Sequence, residues 1–178
     1  RIASTWRSTS VEHHAERGVD WLIPDGLFAE HALVAVVAAL ATALVVLVHY
    51  EGVQWLAKRY SGRAVARATD RRAMLKIIFA LLGLHIVEIW CFGLAYWGLL
   101  HVPDVGFVHG EHGSDNLFDA IYLSATTYTT LGIGDLAPVG AVRLVSGMEA
   151  LTGFLMITWS ASFTYLEMSR LWTDEQRR

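Results

Sequence analysis

The sequence predicts an all-α membrane protein with three transmembrane helices. Long apolar stretches occupy residues 30–50, 76–100 and 143–167, and each approaches or exceeds the roughly 20 apolar residues that a helix needs to cross a bilayer. Apolar residues make up 54% of the chain, against 17% charged residues. Tryptophan, which anchors helices at membrane interfaces, occurs seven times. These observations favour a multi-pass protein of the cell membrane.

Charge and cysteine content exclude several classes of function. The net charge of −3 predicts no surface for nucleic acid. The single cysteine, Cys91, rules out a disulfide within the chain and a cysteine-based metal site. No nucleophile with a neighbouring base is placed in a plausible cleft, so the sequence predicts no enzyme and no organic cofactor.

Residues 1–29 are interpreted as an extracellular segment that leads to the first helix. Charged and imidazole side chains cluster within one short stretch at helical spacing: Glu12, His13, His14, Glu16 and Arg17. A solvated surface helix is the preferred interpretation, and a metal or proton site is the alternative.

Residues 51–75 form a basic loop after the first predicted helix, 30–50. Six lysines and arginines stand against two acids between 51 and 73, which predicts a cytoplasmic position. A voltage sensor is the alternative, but these arginines lie outside any apolar spanning stretch. An apolar side predicts that part of the loop lies along the inner membrane surface; its members are Val53, Leu56, Ala57 and Tyr60.

The second predicted helix, 76–100, carries two ionisable residues near its middle. His85 and Glu88 are three residues apart and therefore share a helix face. Ionisable groups at this depth are costly and face protein or water. A hydrogen-bonded structural pair is preferred, with gating or proton sensing as the alternative. Three glycines on this helix predict close contacts with other helices: Gly83, Gly93 and Gly98.

The loop 101–116 is rich in histidine and acid and contains no lysine or arginine. Its acids attract cations through their net field alone, so a cation-attracting mouth is preferred to a metal site. The residues concerned are His101, Asp104, His109, Glu111, His112 and Asp115.

The segment Thr129–Asp135 holds two glycines one residue apart, directly after a short helix-like stretch at 117–128. Glycine reaches backbone dihedral angles that place successive carbonyl oxygens on one side. A row of carbonyls can replace the hydration shell of a monovalent cation. The position of this motif between two apolar stretches favours such a site over an ordinary turn.

The motif resembles the Thr-Thr-Val-Gly-Tyr-Gly-Asp signature of the potassium-channel superfamily. The resemblance covers residues 76–172 as a pore domain, preceded by one extra N-terminal transmembrane helix. It implies an outer helix at 76–100, a turret at 101–116, a re-entrant pore helix at 117–128, a selectivity filter at 129–135 and an inner helix at 143–167, with a cytoplasmic tail at 173–178.

The resemblance also implies roles for individual residues. Potassium would bind at the filter residues Thr130, Leu131, Gly132, Ile133 and Gly134, through the carbonyls of the first four and the Thr130 hydroxyl. Support would come from Tyr122, Thr126, Thr129 and Asp135. Ile133 replaces the family's usual aromatic residue, which keeps a poorly selective monovalent cation channel open as an alternative.

On the inner helix, the resemblance places a gating hinge at Gly153. The pore-lining candidates are Phe154, Ile157, Ala161 and Tyr165. Glu149 lies to one side of this face and is expected to meet the pore helix or outer helix. The nearest hydroxyls expected for it are Thr126, Thr127 and Tyr128. Glu149 joins His85 and Glu88 among the gating candidates.

One filter loop cannot encircle an ion, so the resemblance implies a homotetramer in the lipid bilayer, with no separate subunit. An outward-facing filter places the N-terminus outside and the C-terminus inside. A potassium transporter subunit would carry four pore loops, whereas this sequence has one. A different class, a membrane metal or proton carrier, would use His85, Glu88 and Glu149 as ligands.

Overall fold

The computed structural model describes residues 28–60, 70–110 and 116–176. Within them the chain forms four helices and two short strands. They are α1 (Phe28–Tyr60), α2 (Asp70–Leu100), β1 (Gly106–His109), α3 (Leu117–Tyr128), β2 (Ala137–Gly140) and α4 (Arg143–Gln176).

Three of these helices are long and apolar enough to cross a membrane: α1, α2 from Arg72 to Leu100, and α4 from Arg143 to Arg170. The short α3 lies between α2 and α4 in the chain and packs against both. The predicted fold class, an all-α membrane protein with three spanning helices and a short pore helix, is confirmed.

Helix α1 contacts α2 and α4 through one narrow face. Its buried residues recur every three or four positions, as expected for a helix with a single packed side. They are Val34, Ala38, Ala41, Val45, His49, Val53 and Leu56. Large apolar residues on the other faces are exposed, as suits contact with lipid: Val36, Leu40, Leu44 and Leu47.

Helix α1 continues ten residues beyond the predicted boundary at residue 50 and ends at Tyr60. The expectation that the apolar side of 51–60 lies along the membrane surface is wrong. Val53 and Leu56 are buried instead against α2, in a cluster with Met74, Ile77 and Leu81. At about 1.5 Å per residue the 33-residue helix is about 50 Å long, longer than the roughly 30 Å hydrocarbon core.

Of the three glycines predicted to make close contacts, only Gly93 does so in this chain. A Cβ at Gly93 would lie 3.0 Å from the Cα of Ile121, so glycine lets α2 approach α3. A Cβ at Gly83 or Gly98 would meet no atom within 4 Å. Their expected role in packing is therefore not seen within one copy of the chain.

Strands β1 and β2 pair antiparallel and were not predicted from the sequence. Val108 lies opposite Pro138, so the loop after α2 is joined to the segment that follows Asp135. The backbone N–H of Val142 extends this connection by donating to Val105 at 3.2 Å. Four-residue strands with a proline lack the alternating pattern that identifies longer strands.

Helix α4 also extends past its predicted end at residue 167, to Gln176. Near its C-terminal part, Arg170 donates to Glu167 at 2.7 Å, one turn apart on the same face. Several predicted features lie outside the described residues: the segment 1–27 with Glu12 to Arg17, the basic residues Arg63 and Arg67, and the turret residues Glu111, His112 and Asp115.

Candidate functional site

Helix α3 directly precedes the glycine motif and sets where the motif begins. Asn116 caps its first turn, because the side-chain oxygen accepts a hydrogen bond from the Phe118 N–H at 3.0 Å. The helix ends at Tyr128, and Thr129 caps its last turn by donating through its backbone N–H to Ala125 at 3.2 Å. The negative end of the helix dipole therefore lies immediately before the motif.

The motif has the backbone that its glycines predict. The φ angles of Thr130, Gly132 and Gly134 are 57°, 54° and 88°, all in the region where side chains are strained. A Cβ at either glycine would meet no atom within 4 Å, so backbone conformation, not space, requires glycine there. The N–H of Gly132 donates to the carbonyl of Thr126 at 3.1 Å. Thr126 thus supports the motif through its backbone.

The residues predicted to bind ions, 130–134, are exposed in the single chain. Leu131 is 65% exposed and Ile133 is 59% exposed, although both are large and apolar. Large apolar side chains that are exposed close together commonly mark a surface that contacts another molecule. The motif therefore lies on a surface of the chain, where a further copy or an ion can reach it.

Asp135 is held at the end of the motif by two hydrogen bonds. Tyr122 on α3 donates to its Oδ2 at 2.9 Å, and the backbone N–H of Leu136 donates to Oδ1 at 3.0 Å. The bond to Asp135 raises the pKa of the Tyr122 phenol, so the hydroxyl remains a donor. Tyr122 and Asp135 together connect the middle of α3 to the end of the motif.

Glu149 is buried on α4 and contacts α3, but through a hydroxyl other than those expected. The expected partners Thr126, Thr127 and Tyr128 lie further along α3. The Glu149 Oε1 lies 2.5 Å from Ser124 Oγ, which is also 2.8 Å from the carbonyl of Ile89 on α2. Glu149 thus contacts α3 about one turn closer to the N-terminus of that helix than expected, where Ser124 is the hydroxyl within reach. The three residues join α2, α3 and α4.

Gly153 lies where α4 crosses the end of α3. A Cβ at this position would collide with the backbone carbonyl and the ring of Tyr128. Close packing is thus the structural reason for glycine here, and α4 is continuous through it. Its predicted role as a hinge stays a prediction. The four predicted pore-lining residues are all exposed on one side of α4: Phe154, Ile157, Ala161 and Tyr165.

A comparison with protein families matches this part of the chain. Residues 84–168 match a family described as ion channel, whose members have a two-helix, potassium-channel-like pore domain. The match includes α3, the glycine motif and most of α2 and α4. Residues 84–168 are therefore similar to the ion-channel family. The predicted resemblance to the potassium-channel superfamily is thereby confirmed. No curated protein and no solved structure matches the chain.

At the C-terminal end of α3, next to the motif, the chain has a buried polar cluster built around Glu88 on α2. Its Oε1 lies 2.8 Å from Nδ1 of His49 on α1, and its Oε2 lies 3.0 Å from Nδ1 of His85. The hydroxyl of Tyr128, the last residue of α3, donates to the same Oε2 and lies 3.0 Å from His85 Nδ1. His49 and Glu88 have no exposed surface, and the side chain of His85 is 16% exposed.

This arrangement corrects the ligand set expected for a carrier. His85 and Glu88 do lie together, but their third partner is His49, and Glu149 bonds to Ser124 instead. The ring of Trp159 on α4 lies 5.4 Å from the His49 ring, centroid to centroid. The cluster therefore connects the extra helix α1 with all three helices of the ion-channel segment.

Sequence reasoning missed His49 because it lies at the end of the apolar stretch with no polar neighbour at helical spacing. A signal was nevertheless present. His49 follows Val45 by four residues and Val34 by fifteen, and so continues the face that is buried along α1. A polar residue on a buried helix face needs a polar partner, and Glu88 is the one it has.

Proposed function

We propose that the protein is a potassium-selective ion channel that works as a homotetramer. Dehydrated potassium ions would pass in single file along the carbonyls of Thr130, Leu131, Gly132 and Ile133, together with the Thr130 hydroxyl. Permeation is passive and no bond is made or broken. The observation that carries this proposal is the backbone of the motif, with three positive φ angles in five residues at the C-terminal end of α3.

The need for four copies follows from the shape of a filter. A single loop supplies one column of carbonyls, whereas a dehydrated cation must be surrounded on all sides. Closed rotational symmetry supplies the other columns from identical chains. The exposed residues Leu131 and Ile133, and the exposed face of α4 with Phe154 and Tyr165, support contacts between copies around a central axis.

The helix α3 contributes electrostatically. Its C-terminal end is negative and precedes the filter, so four copies would direct negative ends toward one axis and favour a cation there. The acids Asp104 and Asp135, which precede strands β1 and β2, would add negative charge that attracts cations. With the filter opening outward, the N-terminus lies outside and the basic residues Lys58 and Arg59 lie in the cytoplasm.

The deciding experiment measures the reversal potential of the purified protein in liposomes or planar bilayers under mixed potassium and sodium. A potential that follows the potassium gradient, with current blocked by barium, is the expected result. A potential that follows both gradients equally would favour a poorly selective cation channel, the alternative that Ile133 keeps open. A potential that follows sodium alone would overturn potassium selectivity.

Two matched glycine variants test whether the motif is the conduction path. Gly134→Ala places a side chain at a φ of 88° and should abolish potassium current. Gly83→Ala makes the same chemical change within α2, where the added Cβ meets no atom within 4 Å. It should leave the current unchanged. Equal currents in both variants would show that ions do not pass the motif.

A further inference from the structure

We propose that His49, His85 and Glu88 form a binding site for a divalent transition-metal ion of the zinc class, next to the base of the filter. Each residue offers one ligand atom, and the three atoms lie within 4.8 Å of one another. Two imidazole nitrogens and one carboxylate oxygen, with a fourth position open, are a donor set that suits zinc.

The distances fit such an ion after a small adjustment. Zinc–ligand bonds of about 2.0–2.1 Å place tetrahedral ligand atoms about 3.3 Å apart. The two histidine–glutamate contacts are 2.8 and 3.0 Å, so each must widen by a few tenths of an ångström. Small changes in the side-chain torsions of His85 and Glu88 supply this widening, since they lie one turn apart on the same helix.

The metal would replace the hydrogen bonds that now join the two rings to Glu88. A neutral imidazole binds metal through one nitrogen and carries its proton on the other. For His49 that other nitrogen is Nε2, which is buried and has no hydrogen-bond partner among the described residues. The metal–ligand bonds must therefore offset the cost of one buried N–H without an acceptor.

Tyr128 orients the carboxylate in this site. Its hydroxyl donates to Glu88 Oε2 and has no exposed surface, so the carboxylate is held from the side of α3. Partners of this kind fix metal ligands in position. His85 is the only member of the set with exposed surface, and an ion would enter past it.

The position of the site implies a consequence for conduction, which rests on the proposed function. Tyr128 is one residue before the filter and packs against Gly153 of α4. A metal would fasten α1 to α2 and would change the contact of Glu88 with Tyr128. We expect micromolar zinc to change potassium flux several-fold.

The first test is binding, which does not depend on conduction. The purified chain of residues 1–178 in detergent is titrated with cobalt(II), and the visible absorbance of the bound ion is followed. One cobalt ion per chain is expected, displaced by zinc. His49→Gln and His85→Gln should each weaken binding at least about a hundredfold, and Tyr128→Phe about 10–100-fold, as for other partners of metal ligands.

Two control variants separate this site from other histidines. The double variant His13→Gln/His14→Gln and the turret variant His109→Gln should keep the wild-type titration. A His49→Gln titration that superimposes on the wild type would overturn the site, as would a loss of binding in either control alone. Size-exclusion chromatography establishes that each variant is assembled before it is titrated.

If His49→Gln does not assemble, His85→Cys keeps the site testable because His85 is partly exposed. A thiolate ligand favours softer metals, so the ratio of cadmium to zinc affinity should rise at least tenfold. An unchanged ratio would overturn the site.

Flux into liposomes with and without zinc then tests the consequence. Adding zinc should change the potassium flux of the wild type. The flux of His85→Gln should be the same with and without zinc. Binding without any flux would leave the metal site standing and count against the channel. Flux that ignores bound zinc would overturn the regulatory step.

Discussion

The hydroxyl of Tyr122 donates a hydrogen bond to Oδ2 of Asp135 at 2.9 Å. The two residues are thirteen positions apart, with the second half of α3 and the whole glycine motif between them. Oδ1 of the same carboxylate accepts from the Leu136 N–H. The C-terminal end of the glycine motif is therefore fastened to the middle of α3 by the hydrogen bond between Tyr122 and Asp135.

Removing the Tyr122 hydroxyl should weaken this connection. Tyr122→Phe keeps the ring and leaves the Asp135 side chain with one hydrogen bond among the described residues, from the Leu136 N–H. We expect the variant to assemble and conduct, but to lose its conducting state several-fold faster when external potassium is lowered. Single-channel recording at high and low potassium measures this lifetime.

Tyr50→Phe is the matched control, because Tyr50 is exposed and accepts only a 3.3 Å hydrogen bond from Gln54 within α1. It should behave as the wild type. Equal lifetimes in all three proteins would show that the Tyr122–Asp135 bond does not stabilise the filter.

Ser124 should matter more for stability than its size suggests. Its single hydroxyl hydrogen faces two acceptors, the Ile89 carbonyl and Glu149 Oε1. Ser124→Ala would remove this hydrogen bond from the buried Glu149 carboxyl and leave it only the Tyr96 hydroxyl among the described residues, at a cost of about 1–3 kcal/mol. The midpoint of thermal unfolding in detergent should fall. Ser162→Ala, which removes an exposed hydroxyl bonded to Thr158, should leave it unchanged.

Replacing the other partner of this hydrogen bond, Glu149, by glutamine should be tolerated. In Glu149→Gln the amide N–H₂ donates to Ser124 Oγ, and Ser124 then donates to Ile89, so every contact keeps one donor and one acceptor. We expect normal assembly and a midpoint at or above that of the wild type. A midpoint as low as that of Ser124→Ala would show that the carboxyl acts through its charge.

The inner helix provides a comparison of two glycines. Gly153→Ala drives a methyl group into the Tyr128 backbone, and such overpacking costs about 1–3 kcal/mol. It should displace the end of α3 and reduce current strongly. Gly147→Ala lies on the same helix with no atom within 4 Å of the added Cβ, and should keep full current. Full current in both variants would mean that the contact between α3 and α4 can shift without affecting conduction.

The sequence was sufficient for the elements that carry a local signal. Apolar stretches of spanning length identified the three long helices. The start of α3 at its cap, Asn116, and the loop that follows it depend on residues close together in the sequence. The end of α1 was placed too early because charged residues at 51–59 hid the buried positions Val53 and Leu56.

Contacts between distant residues could not be read in the same way. His49 and Glu88 are 39 positions apart, and Ser124 and Glu149 are 25 apart. Which face of one helix meets which residue of another depends on the packing of all four helices. Glycines such as Gly93 and Gly83 look alike in sequence, and only the approach of α3 distinguishes them.

Ile133 stands where the potassium-channel signature has tyrosine, and its replacement tests what the difference does. The carbonyl of residue 133 belongs to the backbone, so Ile133→Tyr should leave conduction intact. A phenol at this position adds a hydroxyl beside the carbonyls, which should hold or sharpen the preference for potassium over sodium. The reversal potential under mixed potassium and sodium measures that preference. Ile133→Leu is the control, because it alters shape without adding a hydroxyl and should match the wild type. A lower potassium preference in Ile133→Tyr than in Ile133→Leu would show that the filter is adapted to an aliphatic side chain.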